Sequence, residues 1–281
     1  MKRFMYSAAR ILLAALVLVQ VFLYVMQDRM IFLRQPLAEE MRGLVHKLRP
    51  DAEEMVLATA DGHRLHGWFV RNGEGKADAP ALIYFGGNAE EVSGFALEAN
   101  ELPGVSFALF NYRGYGRSEG EPSEQALFSD SLAIYDAVAA RPGVDRKRIV
   151  VMGRSLGSGV ATYLASQRPV SAVVLVTPYD SLTAVARAKY PFVLVELLLK
   201  HPFDSLGRAA AIDVPLLALI AEADSIVPPG HAATLVKAWR GPVTSVVFAG
   251  ADHNDIAGHA RYWLTVREFL RRSSAASALP L

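Results

Sequence analysis

Three side chains far apart in the chain have the types needed for nucleophilic acyl transfer: Ser155, Asp224 and His253. Ser155 sits in Gly153-Arg154-Ser155-Leu156-Gly157, a G-x-S-x-G pattern between the apolar run Val150-Val151-Met152 and an alanine-rich helical stretch. A strand-to-helix turn of this kind strains the serine and points its oxygen out of the sheet edge. Side chains at 153 or 157 would strike neighbouring backbone. The helix that follows turns its free N–H groups and positive dipole end toward any oxyanion formed there. Gly153, Gly157 and Gly159 could also compose a dinucleotide-type turn, but that pattern follows a first strand and wants an acidic residue about 20 positions on. Here the turn lies mid-chain and positions 170–178 carry no acidic residue.

A serine hydroxyl is a weak nucleophile at neutral pH and needs a base, which in turn needs an orienting acid. In an open parallel sheet these groups belong at the carboxyl ends of strands. Asp224 comes a few residues after Leu216-Leu217-Ala218-Leu219-Ile220, and His253 a few after the run 244–248. The order Ser, Asp, His is the one used by elbow-bearing hydrolases. His253 would take the Ser155 proton and return it to the leaving group, while Asp224 would fix the imidazole tautomer. Asp224 competes with a plain role capping the helix after Pro228, in which case Glu222 is the nearest substitute as the acid. His253 competes with His201, His231 and His259, which read as packing or surface residues; Asp252 and Asp255 read as turn residues. Two backbone donors must hold the oxyanion: Leu156, after the nucleophile, and Asn88 in Phe85-Gly86-Gly87-Asn88-Ala89, with Gly87 the fallback.

The elements that must position these groups are legible as periodicity. Two alternating runs, 54–60 and 64–70, flank Asp61-Gly62-His63 as a hairpin. Short apolar runs follow at 81–85, 105–111, 148–153, 171–177, 214–221 and 243–249, separated by helical stretches near 89–102, 122–141, 156–167, 181–211, 229–240 and 257–272. That alternation predicts a mostly parallel central sheet covered by helices on both faces. Residues 73–79 read as a surface loop and 273–281 as a flexible tail. Residues 178–212, the longest stretch between strands, read either as a cap-like segment, whose apolar centre suggests a greasy acyl group, or as a helix buried against the sheet.

At the other end, 11–26 is a near-unbroken apolar run with Lys2, Arg3 and Arg10 before it. With no small-residue cleavage site after it, the run reads as an uncleaved single-pass anchor (1–27), followed by a polar connector (28–53) and the catalytic domain (54–272). Basic residues tie on the two sides, so the short N-terminal tail makes a cytoplasmic N-terminus, with the domain opposite, the default. The balance of 29 Lys and Arg against 28 Asp and Glu recommends no nucleic-acid partner. The absence of cysteine rules out disulfides, thiol catalysis and Cys-ligated metal.

Together these stretches resemble the α/β-hydrolase superfamily, in particular its membrane-anchored branch of serine hydrolases, often described as serine-aminopeptidase-like or acyl-protein-thioesterase-like. The resemblance is carried by Arg29-Met30-Ile31-Phe32-Leu33, by 85–89, by Asn111-Tyr112-Arg113-Gly114-Tyr115-Gly116-Arg117-Ser118, by the elbow, by Thr177-Pro178-Tyr179-Asp180-Ser181-Leu182, and by 224–228 and 252–255. It implies the α/β-hydrolase fold and a serine hydrolase that uses neither cofactor nor metal. Arg113 to Gly116 is expected beside the oxyanion loop, either as a rigid turn or in contact with substrate. The family commonly has histidine where Gly86 stands, and often glycine in place of one residue of Ala221-Glu222-Ala223. The expected activity is cleavage of acyl esters or thioesters on small or lipidated substrates. A catalytically silent scaffold and a serine peptidase are the alternatives, although no acidic cluster is placed to claim an amino-terminal amine.

Overall fold

The computed structural model describes residues 2–72 and 78–277; most of the loop expected at 73–79 and the last four residues of the expected tail lie outside them. Eight strands form one sheet: β1 (Ala52–Ala58), β2 (Arg64–Val70), β3 (Ala79–Phe85), β4 (Ser106–Phe110), β5 (Val144–Arg154), β6 (Ala172–Val176), β7 (Leu216–Ala221) and β8 (Val243–Phe248). Their order is β1-β2-β4-β3-β5-β6-β7-β8. The hairpin pairs antiparallel with itself and with β4, and every other pairing is parallel. The central strands are buried along nearly their whole length, which is why they read as continuous apolar runs rather than alternating ones.

Two apolar layers sandwich the sheet. One packs α3 (Glu124–Ala139), α4 (Leu156–Gln167) and α8 (Pro229–Ala238) through residues such as Leu127, Ile134, Val160 and Leu235. The other packs α2 (Glu39–Leu48), a 3₁₀ segment at Val92–Glu101 and α9 (Tyr262–Ser277) through Val45, Ala96, Val266 and Phe269. Helix α2 differs from the connector expected at 28–53: Val45 is fully buried against that second layer, so the domain starts well before residue 54. The expected tail differs as well, because α9 continues to Ser277. The helix expected over 181–211 is three short pieces, α5 (Leu182–Lys189), α6 (Val195–Leu198) and α7 (Leu206–Ala209). Pro191 and Pro202 interrupt it, since a proline disfavours helical geometry in the residue before it.

Helix α1 (Lys2–Ile31) is longer than the apolar run that announced it. Its stretch Arg3–Ile31 reaches a mean hydropathy of 2.3 over its most apolar window, none of which is buried. A core helix of a soluble domain would be covered on one face at least; here Leu12, Leu18, Phe22 and Val25 all stand clear of protein.

At the hairpin edge, Glu54 receives Arg42 (2.9 Å) and His66 (2.7 Å). Burial would raise its carboxyl, but the hydrogen bonds and charges of these two partners win and hold it at about 2, against a usual 4.5. The folded-state value is depressed, so the stabilisation is complete above pH 4.5 and is lost as pH falls toward 2. Glu54→Gln is therefore expected to lower stability by roughly 1–2 kcal/mol at pH 7, allowing for solvent screening, and by almost nothing near pH 2. Urea midpoints of the two proteins measured across this range check it; a gap that does not close on acidification refutes it.

Candidate active site

Strand β5 ends at Arg154 and α4 begins at Leu156, so Ser155 alone makes the turn, with φ 49° and ψ −117°. Positive φ is costly for a residue with a side chain. The neighbours that enforce it are the glycines. A Cβ on Gly157 would lie 2.1 Å from the Phe85 carbonyl oxygen, and one on Gly153 would lie 2.2 Å from the Gly157 carbonyl oxygen. Strands β3 and β5 and the first turn of α4 thus meet backbone to backbone under the serine.

The two loops expected to complete the site converge on it. His253 Nε2 is 2.8 Å from Ser155 Oγ, and its Nδ1 is 2.8 Å from Asp224 Oδ2. Both His253 and Asp224 are buried. The other Asp224 oxygen accepts the backbone N–H groups of Ile226 (2.9 Å) and Val227 (2.6 Å), which fixes the carboxylate's plane. Asp252 acts between the loops: one of its oxygens accepts N–H from both Ser225 and His253, each at 2.7 Å. Those backbone donors hold its carboxyl below the ordinary range. Asp255 accepts the Asp252 N–H at 2.8 Å. Glu222 turns away to cap Gly250 N–H, while His231 pairs with Asp180 and His201 with Asp28.

Of the two glycine-loop donors considered, Gly87 is already engaged: its N–H donates to Glu90 Oε2 at 2.7 Å. The N–H groups of Asn88 and Leu156 have no protein acceptor among the described residues. Asn88 is further held through its side chain, whose oxygen accepts from Leu33 N–H (2.7 Å), Ala89 N–H (2.9 Å) and the Tyr115 hydroxyl (3.2 Å). Its amide nitrogen donates to the Met30 carbonyl at 3.3 Å. The last turn of α1 and the strand-like stretch after it are therefore hydrogen-bonded to this loop.

Glu90, Arg154 and Asn254 escaped the sequence reading. Glu90 accepts from the Tyr84 hydroxyl (2.6 Å) and from Arg154 (3.1 Å), and Arg154 in turn donates to Asn254 (3.0 Å), next to His253. Burial opposes the Arg154 charge, but Glu90 outweighs it and raises the guanidinium further. One ionic bridge thus spans the glycine loop, the nucleophile turn and the histidine loop. Its only trace in the sequence is an acidic residue three positions after Gly87, the spacing at which a carboxylate reaches back to a free N–H. The same bridge crowds Gly86: a Cβ there would lie 3.2 Å from the Glu90 carboxyl carbon and 3.2 Å from Val92 Cγ1. Arg113 is bound by Asp61 and by Asp130 (2.7 Å), all within the framework, so the motif meets the site through its tyrosines instead. The Tyr112 hydroxyl donates to the Gly86 carbonyl at 2.8 Å, and Tyr115 reaches Asn88.

A family model for the alpha/beta hydrolase fold matches residues 80–211. The uncharacterized protein Rv2307c of Mycobacterium tuberculosis is 39% identical over 208 residues, 73% of this chain and 74% of that one. The alpha/beta hydrolase domain-containing protein WAV2 of Arabidopsis thaliana is 32% identical over 244 residues, covering 78% and 79% of the two chains. This chain belongs to the α/β-hydrolase superfamily. An uncharacterized membrane protein of Saccharomyces cerevisiae, YNL320W, is 29% identical over 227 residues, 78% of this hydrolase-fold chain and 79% of its own. Among solved structures, the Pyrococcus furiosus esterase PF2001 superposes with a TM-score of 0.67 at 20% identity, covering 82% of this chain and 93% of that one. It shares the hydrolase fold.

Proposed function

We propose that this α/β-hydrolase is a membrane-anchored serine hydrolase that cleaves carboxylic or thio-esters through an acyl-enzyme. The reading rests on one observation above all: a buried imidazole 2.8 Å from the hydroxyl of a strained serine and 2.8 Å from a carboxylate. In the first half-reaction Ser155 Oγ attacks the acyl carbon as His253 Nε2 takes its proton. Asp224 stabilises the imidazolium. The oxygen that becomes negative lies against the N–H groups of Leu156 and Asn88, at the positive end of α4. Collapse of the tetrahedral species passes the proton from His253 to the departing alcohol or thiol. In the second half-reaction water repeats the sequence, releasing the acid and restoring the serine.

Anchoring through α1 is part of the same reading. It is supported by the uncovered apolar surface of that helix and by the hydrogen bonds that tie its end to the domain. Basic residues stand on both sides of the apolar run, Arg3 and Arg10 before and Arg29, Arg34 and Arg42 after, so the cytoplasmic N-terminus with the domain opposite rests on the shortness of the N-terminal tail.

The silent-scaffold alternative, which rests on Gly86, is separated from this reading by turnover: the detergent-solubilised full chain should hydrolyse a short-chain nitrophenyl ester, and a matched series of esters and thioesters should locate its preferred chain length. Absence of turnover across both series would sink the hydrolase reading.

A further inference from the structure

Between β6 and β7 the chain leaves the sheet and returns 39 residues later, and both ends of this excursion grip the nucleophile helix. Near the start, the Tyr179 hydroxyl donates to the Leu156 carbonyl at 3.1 Å. Near the end, Phe203 packs where a Cβ on Gly159 would meet it at 3.2 Å. Its middle does something a water-soluble cap has no reason to do. Phe192 is 85% exposed, Leu197 80% and Leu194 57%, and this apolar surface adjoins the uncovered face of α1.

The polar contacts between the two are specific. Gln20, the one polar side chain in the run 11–26, donates to the Phe192 carbonyl (3.1 Å) and accepts the Leu194 N–H (3.0 Å). Seven residues on, Gln27 donates to the Leu198 carbonyl (2.9 Å) and accepts the Lys200 N–H (2.7 Å). Two glutamines thus clasp the irregular backbone of this segment as a neighbouring strand would. Local turns satisfy the amides of Tyr190, Val193, Val195 and Leu197 to Leu199, and those of Phe192 and Glu196 have no protein acceptor among the described residues. In hydrocarbon, backbone groups must find partners within the protein. An apolar helix that carries glutamines only where a loop needs them meets that demand for the Leu194 and Lys200 amides and the Phe192 and Leu198 carbonyls.

We propose that residues 190–199 form a second membrane-contacting element, a wedge that dips beside α1 into the acyl-chain region of the leaflet nearest the domain. The inference rests on the anchoring of α1 proposed above. At 1.5 Å per residue, the step from Gln27 to Gln20 places the Phe192 tip about 10 Å deeper than Lys200. That matches the depth of about 5–10 Å at which apolar faces seat in a membrane interface. The polar boundary falls where it should: Lys200 pairs with Asp28 (2.9 Å) and lies over the Tyr24 ring, beside His201. Glu196, the single charge within the wedge, pairs with Arg187 of α5 at 3.3 Å. The groove between wedge and helix, about 110 Å³, is lined by Leu23, Tyr24, Ile31, Tyr190, Val193 and Leu199, none of them triad residues. Its occupant is a lipid acyl chain. A substrate that resides in the leaflet is the class such a placement serves.

Because the chain contains no cysteine, single introduced thiols report position cleanly. Phe22→Cys, Phe192→Cys, Leu197→Cys and Ser245→Cys, all at exposed sites, would carry nitroxide labels in the full chain reconstituted into phosphatidylcholine nanodiscs. Positions 192 and 197 are expected to match 22, colliding freely with oxygen and roughly tenfold less often with a polar nickel chelate than 245 does. Nickel access at 192 and 197 equal to that at 245, with 22 still protected, overturns the wedge and leaves the anchor standing. Nickel access at 22 as well overturns the anchoring and the wedge with it.

Discussion

Ser155→Ala is expected to abolish labelling by a fluorophosphonate probe and to lower ester turnover by about 10⁶-fold, leaving the fold intact. The hydroxyl is the only atom that can form the acyl bond, and removing it takes nothing from the packing beneath: the turn is held by Gly153, Gly157 and the backbone they admit. Alanine suits the positive φ no worse than serine does, so circular dichroism and the urea midpoint should barely move. Residual activity should come from the oxyanion donors alone, roughly 10³–10⁴ above water. A variant that still takes up the probe at the wild-type rate would place the nucleophile elsewhere and end the mechanism.

The second large effect concerns Asp224, whose two oxygens have different work. One accepts two backbone N–H groups, and the other faces His253 Nδ1. An asparagine cannot satisfy both sides. With its oxygen toward the backbone, its NH₂ meets Nδ1, which must then surrender its proton, so Nε2 carries the hydrogen and can no longer act as base. With its oxygen toward the histidine, the NH₂ meets two donors and the turn at 226–227 is left unpaired. Asp224→Asn should therefore lower kcat by about 10⁴-fold near neutral pH with little change in KM. Steady-state kinetics on the nitrophenyl ester decide it. A loss of less than about tenfold would mean that the carboxylate orients nothing.

How much of this was legible beforehand varies with the distance over which each feature is encoded. The β5–turn–α4 unit is local: two glycines, a serine and a run of β-branched residues specify it within ten positions, and the helix and the end of the strand emerged to within a residue, while the strand begins four residues before the expected 148, at Val144. The hairpin and the parallel strands are local in the same sense. Helix α2 was legible too: Met41, Leu44, Val45 and Leu48 stand at i, i+3, i+4 and i+7, the spacing of an apolar helical stripe, within a segment bounded by Pro36 and Pro50 that reads as connector if only its polar residues are weighed. The Glu90–Arg154–Asn254 bridge was not: its partners are separated by up to 164 residues, and no local pattern marks a charge that will be neutralised by a distant one. The partners of Gln20 and Gln27 lie still farther along the chain. A lone glutamine in an apolar run reads as a blemish until the segment it serves is in view.

Asn88 carries one more consequence. Its side chain is moored to Met30 and Leu33, in the stretch where α1 joins the domain, while its main-chain N–H has no protein acceptor among the described residues. On the proposed reading α1 is therefore coupled to the loop that offers the second oxyanion donor, and is more than a detachable leash. Trimming the chain to a fragment beginning after residue 33 would remove two of the four contacts that hold the Asn88 side chain, and on the proposed mechanism such a fragment is expected to turn over ester more slowly than the full chain.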